Sequence, residues 1–155
     1  MGSQVTKYQQ EFIAGCNRKE AEELMKLDWD EIDHPAKGSE FSIDWDTYQK
    51  LEDMGGLKVF TARTDSGSLV GYFSVVLSPS LNSKSVVNVV SDAFYLHPEY
   101  RKGFAGVKLF KFVEKCLKED GLNNLVVTST AAYPIDNFLT RLGYSKAETL
   151  YQKDL

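Results

Sequence analysis

The chain has 155 residues, which suits one domain with a sizeable core, and its 43% hydrophobic and 26% charged residues are typical of a globular protein. The net charge of −4 argues against non-specific nucleic-acid binding and favours a cationic partner. The sequence has no apolar run near the roughly 20 residues of a membrane span and no signal-peptide core, and its two cysteines are too few for a metal cluster. We therefore expect a single cytoplasmic domain, residues 1–155, with no metal and with no membrane or nucleic-acid partner.

The first third of the chain predicts an edge strand and two helices. Residues 5–14 mix aromatic and polar side chains, which indicates the strand. Asn17 offers an N-cap for the first helix, with Glu20 three positions later in a capping-box arrangement, and Asp44 can cap the second helix. The predicted apolar face of the first helix carries Ala21, Leu24 and Leu27.

A hairpin follows the helices. Residues 57–64 and 69–77 are two strand-like runs that flank the Asp-Ser-Gly-Ser turn of residues 65–68. The next strand-like run, residues 86–96, is β-branched and aromatic, and Pro98 ends it because proline has no N–H for the ladder.

Residues 101–106 form a basic, glycine-bearing turn, Arg-Lys-Gly-Phe-Ala-Gly, that leads into a predicted helix over residues 104–118. A strand, a glycine turn and a helix together can bind phosphate, because the first N–H groups of the helix have no intrahelical partner and carry partial positive charge. The alternative is an ordinary strand-to-helix turn with a glycine for geometry. The turn lacks the Gly-Lys-Ser/Thr of a Walker loop and the three glycines of a dinucleotide fingerprint.

The last part of the chain predicts a short buried strand over residues 125–130 and a helix within residues 131–142. With the strand of residues 86–96 and the helix between them, the new strand completes a βαβ unit, so the two strands should be parallel. Ligands of open α/β sheets bind outside the carboxyl ends of such strands.

Two segments resemble a known family. Residues 95–106, Tyr-Leu-His-Pro-Glu-Tyr-Arg-Lys-Gly-Phe-Ala-Gly, resemble the acetyl-CoA-binding motif of the GNAT acetyltransferase superfamily, with Gly106 at its second glycine and Phe104 where the first is usual. Residues 137–144 and the final Tyr-Gln-Lys-Asp-Leu resemble the closing helix and last strand of that family. The resemblance covers roughly residues 57–155, and the whole chain also resembles small acetyltransferases encoded by bacteriophages.

The resemblance implies a GNAT-like α/β (α+β) fold: a mixed, mostly antiparallel central sheet with a splayed parallel pair and flanking helices. It implies acetyl-CoA as co-substrate, bound in the gap between the parallel strands. The residues that it places along acetyl-CoA are Tyr95, Leu96, Arg101, Lys102, Gly103, Phe104, Ala105, Gly106, Asn137 and Arg141.

The implied reaction is direct transfer of acetyl to an amine, which must lose a proton as it attacks. Asp92, within the central strand, is the candidate base; the alternative is a structural carboxylate that holds a loop. Strand alternation puts Asp92 on the face of Phe94 and Tyr95 on the opposite face, unless a bulge intervenes. Tyr133 is the nearest candidate acid, because Leu139 stands where the family often has a tyrosine.

The acidic stretch at the end of the first helix has two interpretations. It can be a solvated helix end, or it can be the wall of the acceptor cleft where the resemblance places it. In the second case the carboxylates of Asp28, Asp30, Glu31 and Asp33, with the indole of Trp29, would attract an ammonium group by charge and by cation–π contact.

The predicted function is therefore N-acetylation of a primary amine on a small molecule or a protein. The alternative is a catalytically weak GNAT-fold protein that acts by contact with a host protein. A homodimer is left open, and a phage-encoded protein would work in the host cytoplasm.

Overall fold

The computed structural model describes residues 4–32 and 38–155. Its centre is a four-stranded antiparallel sheet in the order β1-β2-β3-β4. The strands are β1 (Val5–Glu11), β2 (Leu57–Thr64), β3 (Leu69–Pro79) and β4 (Val87–Leu96). The helices are α1 (Arg18–Glu31), α2 (Trp45–Asp53), α3 (Ala105–Glu119) and α4 (Asp136–Arg141), with a 3₁₀ turn at Pro98–Tyr100.

The predicted helix caps are confirmed. Asn17 Oδ1 accepts a hydrogen bond from the Glu20 N–H at 3.2 Å, and Asp44 Oδ1 accepts one from the Thr47 N–H at 2.9 Å. The Glu20 carboxylate forms hydrogen bonds to distant parts of the chain: its Oε1 accepts from Arg63 and from the Leu69 N–H. The inward face of α1 also differs from the prediction, since Leu24 is buried but Leu27 is 43% exposed.

The two faces of the sheet carry different cores. On one face, α3 and α4 pack on an aromatic group in which Phe110 contacts Phe73 and Phe94 edge-on, with ring centroids 4.9 and 4.7 Å apart. On the other face, Leu24 of α1 packs with Tyr72 and Tyr95. The sheet therefore separates an apolar core from a face with many hydroxyl and carboxylate groups.

Strand β4 contains a bulge at Asp92. Ser91 pairs with Val75 and Ala93 pairs with Ser74, so Asp92 is an extra residue between two registers. The bulge puts Asp92 beside Ser74, on the α1 side, whereas Phe94 packs on the α3 side. The predicted common face of Asp92 and Phe94 is therefore wrong, because alternation restarts after the extra residue.

The predicted parallel strand over residues 125–130 is reduced to one bridge between Val90 and Val126. The Ser91 N–H donates to the Val126 carbonyl at 2.8 Å, and the two segments form no further bridge after it. Beyond the bridge, a side chain accepts in place of a β4 carbonyl: the Thr128 N–H donates to Ser91 Oγ at 3.1 Å. The gap that follows lies directly beyond the β4 bulge.

The predicted last strand is also wrong. Residues 145–155 carry no strand, and Leu150 and Tyr151 are 74% and 92% exposed. The predicted closing helix is confirmed, since α4 begins at Asp136, after Pro134, and lies within residues 131–142. Within the described part of the chain, none of the helices combines the length and the apolar character that a membrane crossing requires.

Candidate active site

The amino end of α3 faces a cleft. Gly103 has φ = +100°, a backbone conformation that favours glycine, and it turns the chain into the helix. Phe104 occupies the N-cap position without a side-chain cap, so its side chain satisfies none of the first N–H groups of α3. Its ring is 74% exposed, and the cleft borders it.

Gly106 lies in the first turn of α3. A β-carbon added there would lie 3.6 Å from Phe138 Cζ, an ordinary contact, and the φ angle of Gly106 is not positive. Glycine is a poor helix former by roughly 1 kcal/mol relative to alanine. The packing of the protein therefore does not require this glycine, which lines the cleft together with Phe138 and Leu96.

The cleft has a volume of about 1100 Å³ and lies between the end of β4, the amino end of α3 and residues 128–142. Most residues predicted to contact acetyl-CoA line it: Tyr95, Leu96, Arg101, Gly103, Phe104, Gly106 and Arg141. Three do not: Lys102 and Asn137 are exposed outside its lining, and Ala105 is partly buried outside it. The structure thus brings seven of the ten predicted residues to one cleft, and their contact with acetyl-CoA stays a prediction.

Arg101 joins the end of α1 to the end of β4. Its guanidinium donates to both oxygens of Glu31, at 2.5 and 2.9 Å, and its Nε donates to the Leu96 carbonyl at 2.8 Å. The Tyr95 hydroxyl also donates to Glu31, at 2.7 Å, and Arg101 lies over the Tyr95 ring. Hydrogen bonding from Arg101 lowers the pKa of Glu31, and burial followed by the bond to Glu31 raises the pKa of Tyr95.

A second, smaller pocket of about 270 Å³ lies between the sheet and helices α1 and α2. Aromatic side chains dominate its walls: Phe12, Trp29, Phe41, Trp45, Tyr48 and Tyr72. Its carboxylates near the cleft are Asp28, which accepts from the Tyr72 hydroxyl at 2.5 Å, and Asp92. Burial, followed by the charge of Asp28, raises the pKa of Tyr72.

Asp92, Ala93 and Asp28 line both the cleft and the smaller pocket. Asp92 is exposed and accepts from Ser74 Oγ at 3.2 Å. The sequence led us to expect an apolar strand environment for this carboxylate, but the bulge brings it to the surface where the two cavities meet.

The predicted acidic wall divides into three parts. Trp29 lines the smaller pocket, whereas Glu31 belongs to the cleft and pairs with Arg101. Asp30 points away from both cavities and pairs with Lys26 at 2.5 Å, with both side chains about half exposed. Asp33 lies outside the described residues. The segment is thus neither simply a solvated helix end nor one continuous wall.

Comparison with known proteins identifies the fold. No protein-family model matches the sequence, and no curated protein matches it at a significant level. An aminoglycoside acetyltransferase from an uncultured soil metagenomic sample, in complex with sisomicin, matches with a TM-score of 0.73 at 14% identity, over 96% of this chain and 95% of that one. The ribosomal-protein-alanine N-acetyltransferase of Brucella melitensis biovar Abortus 2308 matches with a TM-score of 0.70 at 16% identity, over 97% and 100%.

A third structure, a predicted acetyltransferase from Clostridium acetobutylicum with acetyl-CoA, matches with a TM-score of 0.64 at 12% identity, over 96% of this chain and 95% of that chain. The chain has the GNAT fold. The mostly antiparallel sheet with flanking helices confirms the predicted fold class, although the splayed parallel pair is only one bridge long. The resemblance to phage-encoded acetyltransferases and the homodimer stay predictions.

Leu139 of α4 stands where the family often has a tyrosine. It is buried in the core on the α3 side and has no hydroxyl, so this position supplies no acid to the cleft. Tyr133 is 49% exposed and lines the cleft just before α4, where its N–H donates to the Thr130 carbonyl at 3.0 Å. The structure thus puts both predicted catalytic residues, Asp92 and Tyr133, at the same cleft.

Sequence reasoning missed several residues of the smaller pocket, above all Ser74 and Tyr72. It included Asp28 in the acidic wall, and helical spacing supports that choice, because Asp28 follows the buried Leu24 by four residues and so lies on the inward face of α1. Strand alternation around Phe73 could likewise have put Tyr72 and Ser74 on one face. Their proximity to Asp92 depends on the bulge, which no sequence pattern indicated.

Proposed function

We propose that this protein is an acetyl-CoA-dependent N-acetyltransferase that transfers acetyl directly to an amine. One observation carries the proposal: the large cleft at the amino end of α3 and the aromatic, acidic pocket meet at Asp92. A donor in the first cavity and an acceptor in the second would have their reacting ends at this meeting point.

The large cleft suits a phosphorylated co-substrate. The free amino end of α3 and the space at Gly106 allow a pyrophosphate to approach the backbone. Arg101 supplies a full positive charge beside them, once its bonds to Glu31 are exchanged for phosphate oxygens. At about 1100 Å³, the cleft also exceeds the usual size of drug-like ligand pockets.

The chemistry needs one proton acceptor and one proton donor. The amine nitrogen forms a bond to the thioester carbonyl carbon, the carbon–sulfur bond breaks, and sulfur leaves with the bonding pair as thiolate. Asp92 would take the proton from the amine, because its exposed carboxylate lies on the side of the acceptor pocket. Tyr133, which lines the same cleft, would give its proton to the thiolate.

The comparisons support acetyl transfer but leave the acceptor open. One similar structure holds acetyl-CoA, one is an aminoglycoside acetyltransferase with sisomicin, and one is a ribosomal-protein-alanine N-acetyltransferase. These neighbours span small-molecule and protein acceptors, so the acceptor of this chain has to be inferred from its own pocket.

Calorimetry with acetyl-CoA, combined with mass spectrometry of amines incubated with it, tests the proposal. We expect the wild-type protein to bind acetyl-CoA and to acetylate at least one amine. Gly106→Ala should weaken acetyl-CoA binding by about tenfold, roughly 1.4 kcal/mol, because the new methyl group fills the space needed by the phosphates. Its thermal midpoint should not fall, because alanine favours the helix and meets only ordinary contacts.

Two results would contradict the proposal. Binding of acetyl-CoA without transfer to any amine would leave a GNAT-fold binding protein, the alternative that the apolar Leu139 favours. Failure to bind acetyl-CoA would contradict both interpretations of the cleft.

A further inference from the structure

We infer that the acceptor is a compact primary amine with an apolar or aromatic body, and that it binds in the smaller pocket. The inference rests on the proposed function for the role of the amine as acceptor. The identity of the ligand class comes from the pocket itself, through its size, its walls and the position of its charges.

The size of the pocket limits the ligand. Its volume of about 270 Å³ is just below the roughly 300–1000 Å³ of typical drug-sized ligand pockets. One aromatic ring with a short aminoalkyl chain fits this space, whereas a multi-ring aminosugar does not. The pocket therefore favours a small monoamine, or a single side chain of comparable size.

The walls favour an apolar body. The rings of Trp29 and Phe41 meet edge-on with centroids 5.8 Å apart, and Tyr72 and Trp45 lie among the other lining residues. The polar ends of two of these rings already have partners within the protein. The Trp45 indole N–H donates to Glu22 at 2.6 Å, and the Tyr72 hydroxyl donates to Asp28.

The pocket also has polar residues, such as Asn17, Ser42 and Thr61, but aromatic and aliphatic side chains form most of its lining, so a ligand with several hydroxyl groups would meet mainly apolar surface there. Each hydroxyl that lost its water without gaining a partner would reduce affinity. An aromatic or aliphatic body would instead gain from burial and from contact with the ring faces.

The charges set the direction in which the amine lies. Arg63, which lines the pocket, is held by Glu11 at 2.8 Å and Glu20 at 2.7 Å, so its charge is compensated. The end of the pocket that is shared with the large cleft carries two carboxylates, Asp28, which accepts from the Tyr72 hydroxyl, and Asp92, which accepts from Ser74 Oγ. An ammonium group is thus drawn to the end that opens into the large cleft, and the apolar body points inward.

The chain offers a direct measurement of this binding. It has two tryptophans, Trp29 and Trp45, and both line the pocket. Intrinsic tryptophan fluorescence therefore reports on the occupant of this pocket without a background from other tryptophans. Trp29→Phe and Trp45→Phe variants show which of the two tryptophans gives the fluorescence change.

We expect 2-phenylethylamine to change the fluorescence saturably and to bind at least tenfold more tightly than glucosamine, a hydroxylated primary amine of similar size. Asp28→Asn should weaken binding of 2-phenylethylamine and leave 2-phenylethanol, which has no charge, unaffected. Asp30→Asn is the matched control: it removes a carboxylate two residues away on the same helix, outside the pocket, and should change neither affinity.

The outcomes separate this inference from the proposed function. Equal or tighter binding of glucosamine, or no fluorescence change with 2-phenylethylamine, overturns the inference, whether or not acetyl transfer occurs. Selective binding of 2-phenylethylamine supports the inference on the ligand class. If such binding were found while the protein acetylated no amine, the proposed function alone would be contradicted.

Discussion

At the scale of single residues, Arg101 and Glu31 change the interpretation of the site. The sequence placed Arg101 with acetyl-CoA and Glu31 with the acceptor, as parts of separate surfaces. In the structure the two side chains form a two-pronged ion pair, with Tyr95 as a third member. The pair is 40% and 29% exposed, so it is worth only about 0–1 kcal/mol. A phosphate group can therefore displace Glu31 at little cost.

Because Glu31 and a phosphate group compete for Arg101, substitutions of Arg101 and Glu31 should change the affinity for acetyl-CoA in opposite directions. Arg101→Ala should weaken acetyl-CoA binding by roughly 1.5–3 kcal/mol, the range for a hydrogen bond to a charged group. Glu31→Gln should instead strengthen it, by up to about 1 kcal/mol, because the guanidinium no longer has to leave a carboxylate. Titration calorimetry at low and high salt measures both changes, and salt should reduce them.

Lys108→Ala is the control for this pair of variants, since Lys108 is an exposed cation near the start of α3 and lies outside the cleft lining. It should leave the affinity almost unchanged. If Arg101→Ala behaved like Lys108→Ala, Arg101 would have no role in binding the phosphates.

At the scale of secondary-structure elements, Arg63 of β2 holds β1 and α1 together. It contacts Glu11 of β1, Glu20 of α1 and the carbonyl of Gly67 in the hairpin turn. Burial opposes ionisation of Glu11, but hydrogen bonds from Arg63 and Thr61 prevail and lower the pKa of Glu11 to about 2. This ion pair is mostly shielded from water, with side-chain exposures of 17% for Arg63 and 22% for Glu11.

The Glu11 pair predicts a pH-dependent stability. The pKa of a glutamate in the unfolded chain is about 4.3, so the lowered folded-state value stabilises the protein above that pH. This contribution is lost as the pH falls toward about 2. Glu11→Gln should lower the free energy of unfolding by about 2–3 kcal/mol at neutral pH, and the difference should shrink through the acidic range.

Urea denaturation over that range measures the difference, and Asp30→Asn supplies the control. Asp30 also pairs with a cation, but on the surface, so its loss should cost about 0–1 kcal/mol. A Glu11→Gln difference that stayed constant down to the acid limit would show that the charge of Glu11 is not what stabilises the fold.

The elements that the sequence predicted well are those with strong local signals. Asn17 and Asp44 make cap hydrogen bonds that depend on a few neighbouring residues, and the hairpin strands β2 and β3 flank a turn with its own sequence signature. The structure shortens the predicted strand of residues 125–130 to one parallel bridge and contradicts the strand predicted for the final Tyr-Gln-Lys-Asp-Leu. Strand formation in these segments depends on pairing with a distant part of the chain, for which their own residues carry no signal.

At the scale of the whole molecule, one extra residue in β4 connects the two cavities. Without the bulge, alternation would put Asp92 and Phe94 on one face of β4, so Asp92 could not face the pocket while Phe94 packs in the α3-side core. With it, Asp92 lies at the junction of the cleft and the aromatic pocket. The sequence could indicate Asp92 as a chemical candidate, but the register of β4 against β3 determines where the carboxylate points.

The central claim is that acetyl transfer occurs at this junction, with Asp92 as the proton acceptor. The most direct measurement is kcat/KM for the best amine with wild type and Asp92→Asn, across the neutral and mildly alkaline range. Ser74→Ala is the control, because it removes the hydrogen bond to Asp92 and leaves the carboxylate. Asp92→Asn should lower kcat/KM by ~10²–10⁴, with acetyl-CoA affinity unchanged, while Ser74→Ala should have a smaller effect. Turnover by Asp92→Asn equal to that of wild type would contradict the claim.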